Sequence, residues 1–202
     1  IKQFSKIKEI AKKRNLKLLD ISNEFKKIKN DASDFTSSFK IKNLVMAIKA
    51  TKLCGIKNNL ISKAIKKIKD VNGRLELVRK YPNDIRVFID YAHTPDALLQ
   101  ALKSLKNKYG NNITLVFGCG GERDKKKRPL MGKIADDNCK KIYITDDNPR
   151  NESPKKIRNQ ISKYISKNKI FNISDRTLAI RKAILNADPQ EIILIAGKGH
   201  EE

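Results

Sequence analysis

Two aspartates, an Asn148-Pro149 turn and Arg150 crowd into the stretch TDDNPRNESP, Thr145 to Pro154, directly after the apolar run KIYI. Three further stretches also follow apolar runs: DYAHTPD from Asp90, GCGGERDKKKRP from Gly118 and GKGHEE from Gly197. Five of the nine glycines (Gly118, Gly120, Gly121, Gly197 and Gly199) and both histidines, His93 and His200, fall in these segments. Packing alone accounts poorly for that concentration. Arg123 and Arg150 can each grip a carboxylate bidentately, while Asp147 and Glu201 can hold an ammonium group. Together they suit a small amino acid with two charged ends. No serine or cysteine sits beside a base of its own, and no metal-ligand spacing is present, so neither a catalytic nucleophile nor a metal centre is expected in this chain. Taken singly, each stretch also reads as punctuation. Glycines serve tight turns, Asn-Pro forms turns, Ser153 can cap a helix, and GCGG is neither GxGxxG nor a phosphate loop ending in Gly-Lys-Ser/Thr.

The elements that must position these residues are legible from periodicity. From Ile85 onward, strand-length apolar runs alternate with helical patterns. The strands are IRVFID, NITLVFG, KIYIT, KIFNIS and EIILIAG. The helices run Pro95 to Tyr109, from about Pro129 to Asn138, Pro154 to Ser166 and from about Thr177 to Asn186. Thr94-Pro95, Arg128-Pro129 and Ser153-Pro154 mark helix starts. Such alternation predicts an α/β fold, a Rossmann-like, mainly parallel sheet with helices on both faces. In a parallel sheet all strands end at the same edge, which brings the four stretches to one crevice. Upstream, Leu44, Val45, Ile48 and Leu53, then Leu60, Ile61, Ala64, Ile65 and Ile68, predict two helices split by a turn at Gly55 to Asn58. IKEIAKKRNLKLLDIS reads as a helix and a strand. The change of texture near Asn72 to Pro82 sets the expected domains at 1–76 and 77–202.

The chain has 202 residues, 39% of them hydrophobic, enough for a sizeable core. No apolar run approaches the ~20 residues a membrane helix needs, so a soluble, cytoplasmic protein without membrane contact is expected. The net charge of +23 raises nucleic acid as a partner. The lysines, however, are spread over most polar helix faces, without the interleaved aromatics of single-strand binders, and no nucleic-acid partner is expected. Cys54, Cys119 and Cys139 share no CxxC spacing and are expected to be ordinary buried thiols in a reducing cytoplasm.

DYAHTPDAL, FGCGGERDKKKRPLMG, TDDNPRNE and AGKGHE, in this order, resemble the C-terminal portion of the bacterial Mur ligases, from about Phe39 to Glu202. DNPR resembles the motif of the branch that adds meso-diaminopimelate rather than lysine. The resemblance implies an ATP- and Mg2+-dependent amide-bond-forming ligase of peptidoglycan precursor synthesis. Its small-molecule partners would be ATP, meso-diaminopimelate and UDP-MurNAc-L-Ala-D-Glu, with an acyl phosphate intermediate, in a bacterial cytoplasmic monomer. By the same resemblance, Arg123, Asp147, Asn148, Pro149, Arg150, Gly197 and Glu201 bind meso-diaminopimelate, with Arg150 on its distal carboxylate. Asn43 and His93 approach the ATP base, Arg74 the γ-phosphate and Asp90 the ribose. Residues 1–76 become the helical end of a central ATPase-type domain.

Two departures stand out: FKIKN, with Lys40 where the family's FNxxN has its first asparagine, and Lys126 where DKGKRP has glycine. The resemblance puts the phosphate loop, the carbamylated lysine, the magnesium ligands and the UDP-sugar domain upstream of Ile1. No catalytic residue is therefore expected here, and the chain alone is expected to be inactive. A lysine-adding Mur ligase and a charge-driven nucleic-acid-binding module are the alternatives.

Overall fold

The computed structural model describes residues 2–24, 38–68 and 71–199. The chain divides into two compact units, Ile1–Ile68 and Lys69–Glu202.

The first unit contains α1 (Lys2–Lys13), α2 (Ser38–Leu53) and α3 (Asn58–Ile65). Gly55, at φ +81°, lies in the turn between α2 and α3, as its position between two apolar periods predicts. Val45, Ile41 and Ile61 are buried, yet Phe4, Ile7, Met46, Leu53 and Leu60 are at least half exposed. An apolar groove of about 270 Å³ runs between α2 and α3, with Leu44, Ile48, Ile61 and Ile65 in its walls. The strand expected within LKLLDIS does not form. A strand needs a hydrogen-bonding partner, and the described residues of its own unit contain no other strand, so Leu16, Leu18 and Leu19 stay exposed.

The second unit is built on β1 (Glu76–Lys80), β2 (Arg86–Asp90), α4 (Pro95–Tyr109), β3 (Ile113–Phe117), α5 (Lys127–Asn138), β4 (Lys141–Ile144), α6 (Pro154–Ser162), β5 (Ile170–Asn172), α7 (Arg176–Leu185) and β6 (Ile192–Ala196). The strand order is β1-β2-β6-β3-β4-β5. Only β1 is antiparallel. Sequence periodicity did not announce β1, and the division between units falls before it. Residues 71–76 belong to the sheet unit: the Leu75 amide donates to Asp90 Oδ2 (2.8 Å) and the Tyr91 amide to the Gly73 carbonyl (2.9 Å).

Burial explains the central strands. Every residue of β3 and β6 is buried, which only a sheet covered on both faces allows, and which favours their unbroken apolar runs. One face packs Leu98, Leu102, Met131, Ala135, Ile157 and Ile161 of α4, α5 and α6 against Leu115, Phe117, Ile142 and Leu194. The other packs Ala179 and Ala183 of α7 against Val116, Tyr143, Ile193 and Ile195. Three forward crossovers on one face and a returning one on the other follow from right-handed connections, because β6 inserts between β2 and β3. Each fully buried Leu or Ile contributes about 1.5–3 kcal/mol. The caps are those the sequence predicts: Thr94 and Ser153 accept from the amides of Ala97 and Lys156, with Pro95 and Pro154 opening the helices. α6 stops at Ser162 rather than Ser166.

Register aligns the carboxyl ends. Asp90 lies opposite Ala196, Phe117 opposite Ile144, and Ile144 opposite Asn172. The segments that follow therefore leave one common rim. Among the described residues, no helix is long and apolar enough to cross a membrane.

Candidate functional site

The loops after β3 and β4 touch through their backbones, and glycine makes that possible. A side chain at Gly118 would collide with the Thr145 carbonyl, and one at Gly121 with the Pro149 carbonyl. With those approaches open, the Gly121 amide donates to the Asn148 carbonyl (2.8 Å). The Arg150 guanidinium donates through Nη1 to the Gly121 carbonyl (2.7 Å). Arg150 itself has φ +50°, a left-handed conformation costing about 1–2 kcal/mol for a residue with a side chain. Its amide is steadied by Asn148 Oδ1 at 3.3 Å.

Beneath these loops lies Arg128, whose side chain is fully enclosed. Its Nη1 donates to Glu152 Oε2 (2.9 Å) and Gln160 Oε1 (2.6 Å), its Nη2 to Glu152 Oε1 (3.0 Å) and the Gly120 carbonyl (3.0 Å). Glu152 also accepts the Glu122 amide at 2.6 Å. The Arg128 hydrogen bonds, then that amide, hold the Glu152 carboxyl well below the usual range, at about 2. A charge-assisted, bidentate pair of this kind is the strong form of the interaction.

The loops after β2 and β6 join the same rim. The Gly197 amide donates to the Asp90 carbonyl (2.9 Å), and the buried Asp90 carboxylate accepts the amides of Ala92 (2.7 Å) and Leu75 (2.8 Å). The Arg74 guanidinium lies 4.3 Å from the Tyr91 ring centroid, and that ring meets the His93 ring edge-on at 4.7 Å. Two lysines close the circuit. Lys127 Nζ donates to the His93 carbonyl (2.7 Å), tying the β3 loop to the β2 loop, and Lys198 pairs with Asp147 (3.7 Å), tying β6 to β4.

Of the expected residues, the rim brings together Asp90, His93, Arg123, Asp147, Asn148, Pro149, Arg150 and Gly197, with Arg74 joining through Tyr91. Arg123 is exposed and has no partner among the described residues. Asn43 is exposed on α2, in the first unit. Glu201 lies outside the described residues. The two aspartates of TDDNPR diverge: Asp146 is paired with Arg158, while Asp147 faces Lys198. Sequence reasoning did not single out Arg128, Glu152, Lys127 or Lys198. Arg128-Pro129 read only as a helix start, and nothing in the spacing of Arg128 and Glu152, 24 residues apart, signals a buried pair.

Volume and chemistry do not coincide in the sheet unit. A concavity of about 550 Å³ opens at the opposite edge, lined by Lys106, Asp136, Lys140, Lys141 and Lys169 among others. Of these five, Asp136, Lys140, Lys141 and Lys169 are engaged in ion pairs, so the rim, where Arg123 has no partner among the described residues, is the better site. Among the described residues, no three His, Cys, Asp or Glu side chains cluster to hold a metal ion.

Comparison with known proteins agrees with this geometry. Residues 73–199 match the family model described as "Mur ligase, glutamate ligase domain". The chain is 45% identical over 166 residues to the UDP-N-acetylmuramoyl-L-alanyl-D-glutamate--2,6-diaminopimelate ligase of Rickettsia bellii, covering 81% of this chain and 34% of that protein. It is 42% identical over 172 residues to the ligase of the same name from Trichormus variabilis, covering 84% and 35%. A solved structure of a ligase of that name superposes with a TM-score of 0.60 at 38% identity, covering 82% and 35%. The UDP-N-acetylmuramate-alanine ligase of Thermotoga maritima, at 19% identity and a TM-score of 0.59, shares the fold; that match covers 80% of this chain and 34% of that one. The chain thus spans about a third of the length of the curated relatives it matches. With the motifs, the rim and the family model all in register, the chain belongs to the Mur ligase family.

Proposed function

We propose that this chain forms the amino-acid-binding end of an ATP-dependent ligase that adds meso-diaminopimelate to UDP-MurNAc-L-Ala-D-Glu during peptidoglycan precursor synthesis. The observation that carries this reading is the gathering of Arg123, Arg150 and Asp147 on one rim, with Arg150 held by the Gly121 carbonyl through one of its five donors. The remaining donors suit the distal carboxylate of a diacid, and Asp147 and Glu201 suit an ammonium group. Asn148, Pro149 and Gly197 supply backbone and amide contacts. Lysine lacks the distal carboxylate, so its entry leaves Arg150 desolvated and unpaired, which supports discrimination of up to roughly 10⁴-fold.

The Mur ligase family uses ATP and Mg2+. The Arg74 guanidinium on the Tyr91 ring, beside Asp90 and His93, has the cationic and aromatic character that phosphate and base require. When bound, ATP would supply the phosphoryl group that activates the acyl-donor carboxylate, and in the sheet unit of this chain Arg74, His93 and Asp90 would approach the nucleotide. Among the described residues, no three His, Cys, Asp or Glu side chains come together as magnesium ligands.

The test is a chimaera in which this chain replaces the matching third of the Rickettsia bellii ligase. Arg150→Ala in that chimaera should raise the KM for meso-diaminopimelate by about 100-fold, the cost of removing one partner of a desolvated charge pair, with the KM for ATP changed less than about threefold. Equal effects on both constants would refute the assignment.

A further inference from the structure

Arg128 contacts no expected ligand residue directly, yet its position is the most constrained in the rim. Its side chain is fully enclosed, its guanidinium reaches both oxygens of Glu152, and its remaining bonds go to Gln160 and the Gly120 carbonyl. Gly120 and Glu122 flank Gly121, whose carbonyl holds Arg150. Glu152 follows Arg150 by two residues and accepts the Glu122 amide. Two loops that share no covalent neighbour are thus riveted at one buried point. One carries Arg123 and the other carries Asp147, Asn148 and Arg150.

We propose that the Arg128–Glu152 pair is a positioning device that sets the separation between the Arg123 and Arg150 guanidinium groups, and thereby the spacing of the two carboxylates a ligand must present. This rests on the diaminopimelate reading above. A salt bridge added for stability alone is of little value when enclosed, since desolvation offsets its Coulomb energy. Here Arg128 holds the Gly120 carbonyl and Glu152, from the β4 loop, holds the Glu122 amide, so the pair fixes two backbone groups of the β3 loop to the β4 loop, and buried bonds of that type specify geometry. Gln160, on α6, adds a third anchor from a rigid element, so the pair is held from below as well as from both loops. Two neighbouring residues with φ near +50°, Glu122 and Arg150, are conformations that persist only when their surroundings over-determine them.

The experiment uses the 202-residue chain and two variants. Arg128→Met removes the enclosed charge and leaves Glu152 only the Glu122 amide and Lys125; Glu152→Gln keeps the side-chain shape and is the informative variant should the first fail to fold. Amide hydrogen exchange and calorimetric titration with meso-diaminopimelate and with L-lysine are read on each. In Glu152→Gln, the Gly121 and Glu122 amides should exchange at least about tenfold faster, with Leu115 and Leu194 of the central strands unchanged. The affinity for meso-diaminopimelate should fall about 10- to 100-fold, the scale of a misplacement near 1 Å, while that for lysine stays the same. Unchanged exchange would overturn the clamp. Faster exchange with undiminished discrimination between the two ligands would reduce the pair to a structural bond and overturn the positioning role. Failure of the unaltered chain to take up meso-diaminopimelate would instead refute the parent reading, leaving exchange to decide whether the two loops are clamped.

Discussion

The two edges of the sheet use charge in different proportions. At the carboxyl edge, charged groups bind backbone: Arg128 holds the Gly120 carbonyl, Arg150 the Gly121 carbonyl, Lys127 the His93 carbonyl, and Arg123 has no partner among the described residues. At the amino edge, charges are largely spent on one another. Glu191, fully buried, accepts from Lys141 (3.0 Å), the Asp188 amide (2.8 Å) and the Thr114 hydroxyl, and Asp188 pairs with Lys140 and Lys141. Burial opposes the Lys141 charge, but Glu191 and Asp188 more than offset it, so its pKa is raised. Lys169 pairs with Asp136 in the same way. One edge is a consolidated base; at the other, ion pairs share the rim with charge-to-backbone bonds, and Arg123 is left with no partner among the described residues. Total charge, +23 over the whole chain, says nothing of this division, which arises from which strand ends face which loops.

The largest effect that would test the contrast is on the base. Glu191→Ala should cost about 3–5 kcal/mol in denaturant unfolding, because Lys141 and Thr114 lose their enclosed partner. The affinity of the folded fraction for meso-diaminopimelate should stay the same. A small stability loss, or a large affinity loss, would blur the two edges into one. A smaller effect sharpens the rim. The Glu152 carboxyl is lowered from 4.5 to about 2 in the folded chain. Because the folded value lies below the unfolded one, its contribution to stability is fully present above pH 4.5 and is lost as pH falls through about 2. Carboxyl-carbon NMR should place the Glu152 midpoint near 2, and the Glu122 amide should remain protected at pH 3. A midpoint near 4.5 would mean that the Arg128 bonds do not form in solution.

What the sequence revealed, and what it hid, follows the same physics. The central strands β3, β4 and β6 announced themselves because burial on both faces demands continuous apolar runs, and the proline-marked starts of α4 and α6 coincide with side-chain caps. β1 did not, because ELVRK at an exposed edge carries charge on a strand that buries little. LKLLDIS has strand-like composition without a partner strand among the described residues of its own unit. The rim's glycines and charges were readable as a cluster because parallel strands share an end. The Arg128–Glu152 pair was not, since no local pattern encodes a contact made by tertiary approach of α5 to the β4 loop.

The account stands most directly on where a diacid amino acid binds. Titrating the isotopically labelled chain with meso-diaminopimelate, with L-lysine as the control, should move the backbone resonances of Gly121, Arg123, Asp147, Arg150 and Gly197. Those of Lys106, Asp136, Lys140 and Lys169 at the opposite edge should stay still, and lysine should give far weaker shifts throughout. Shifts confined to the amino edge, or equal responses to both amino acids, would contradict it.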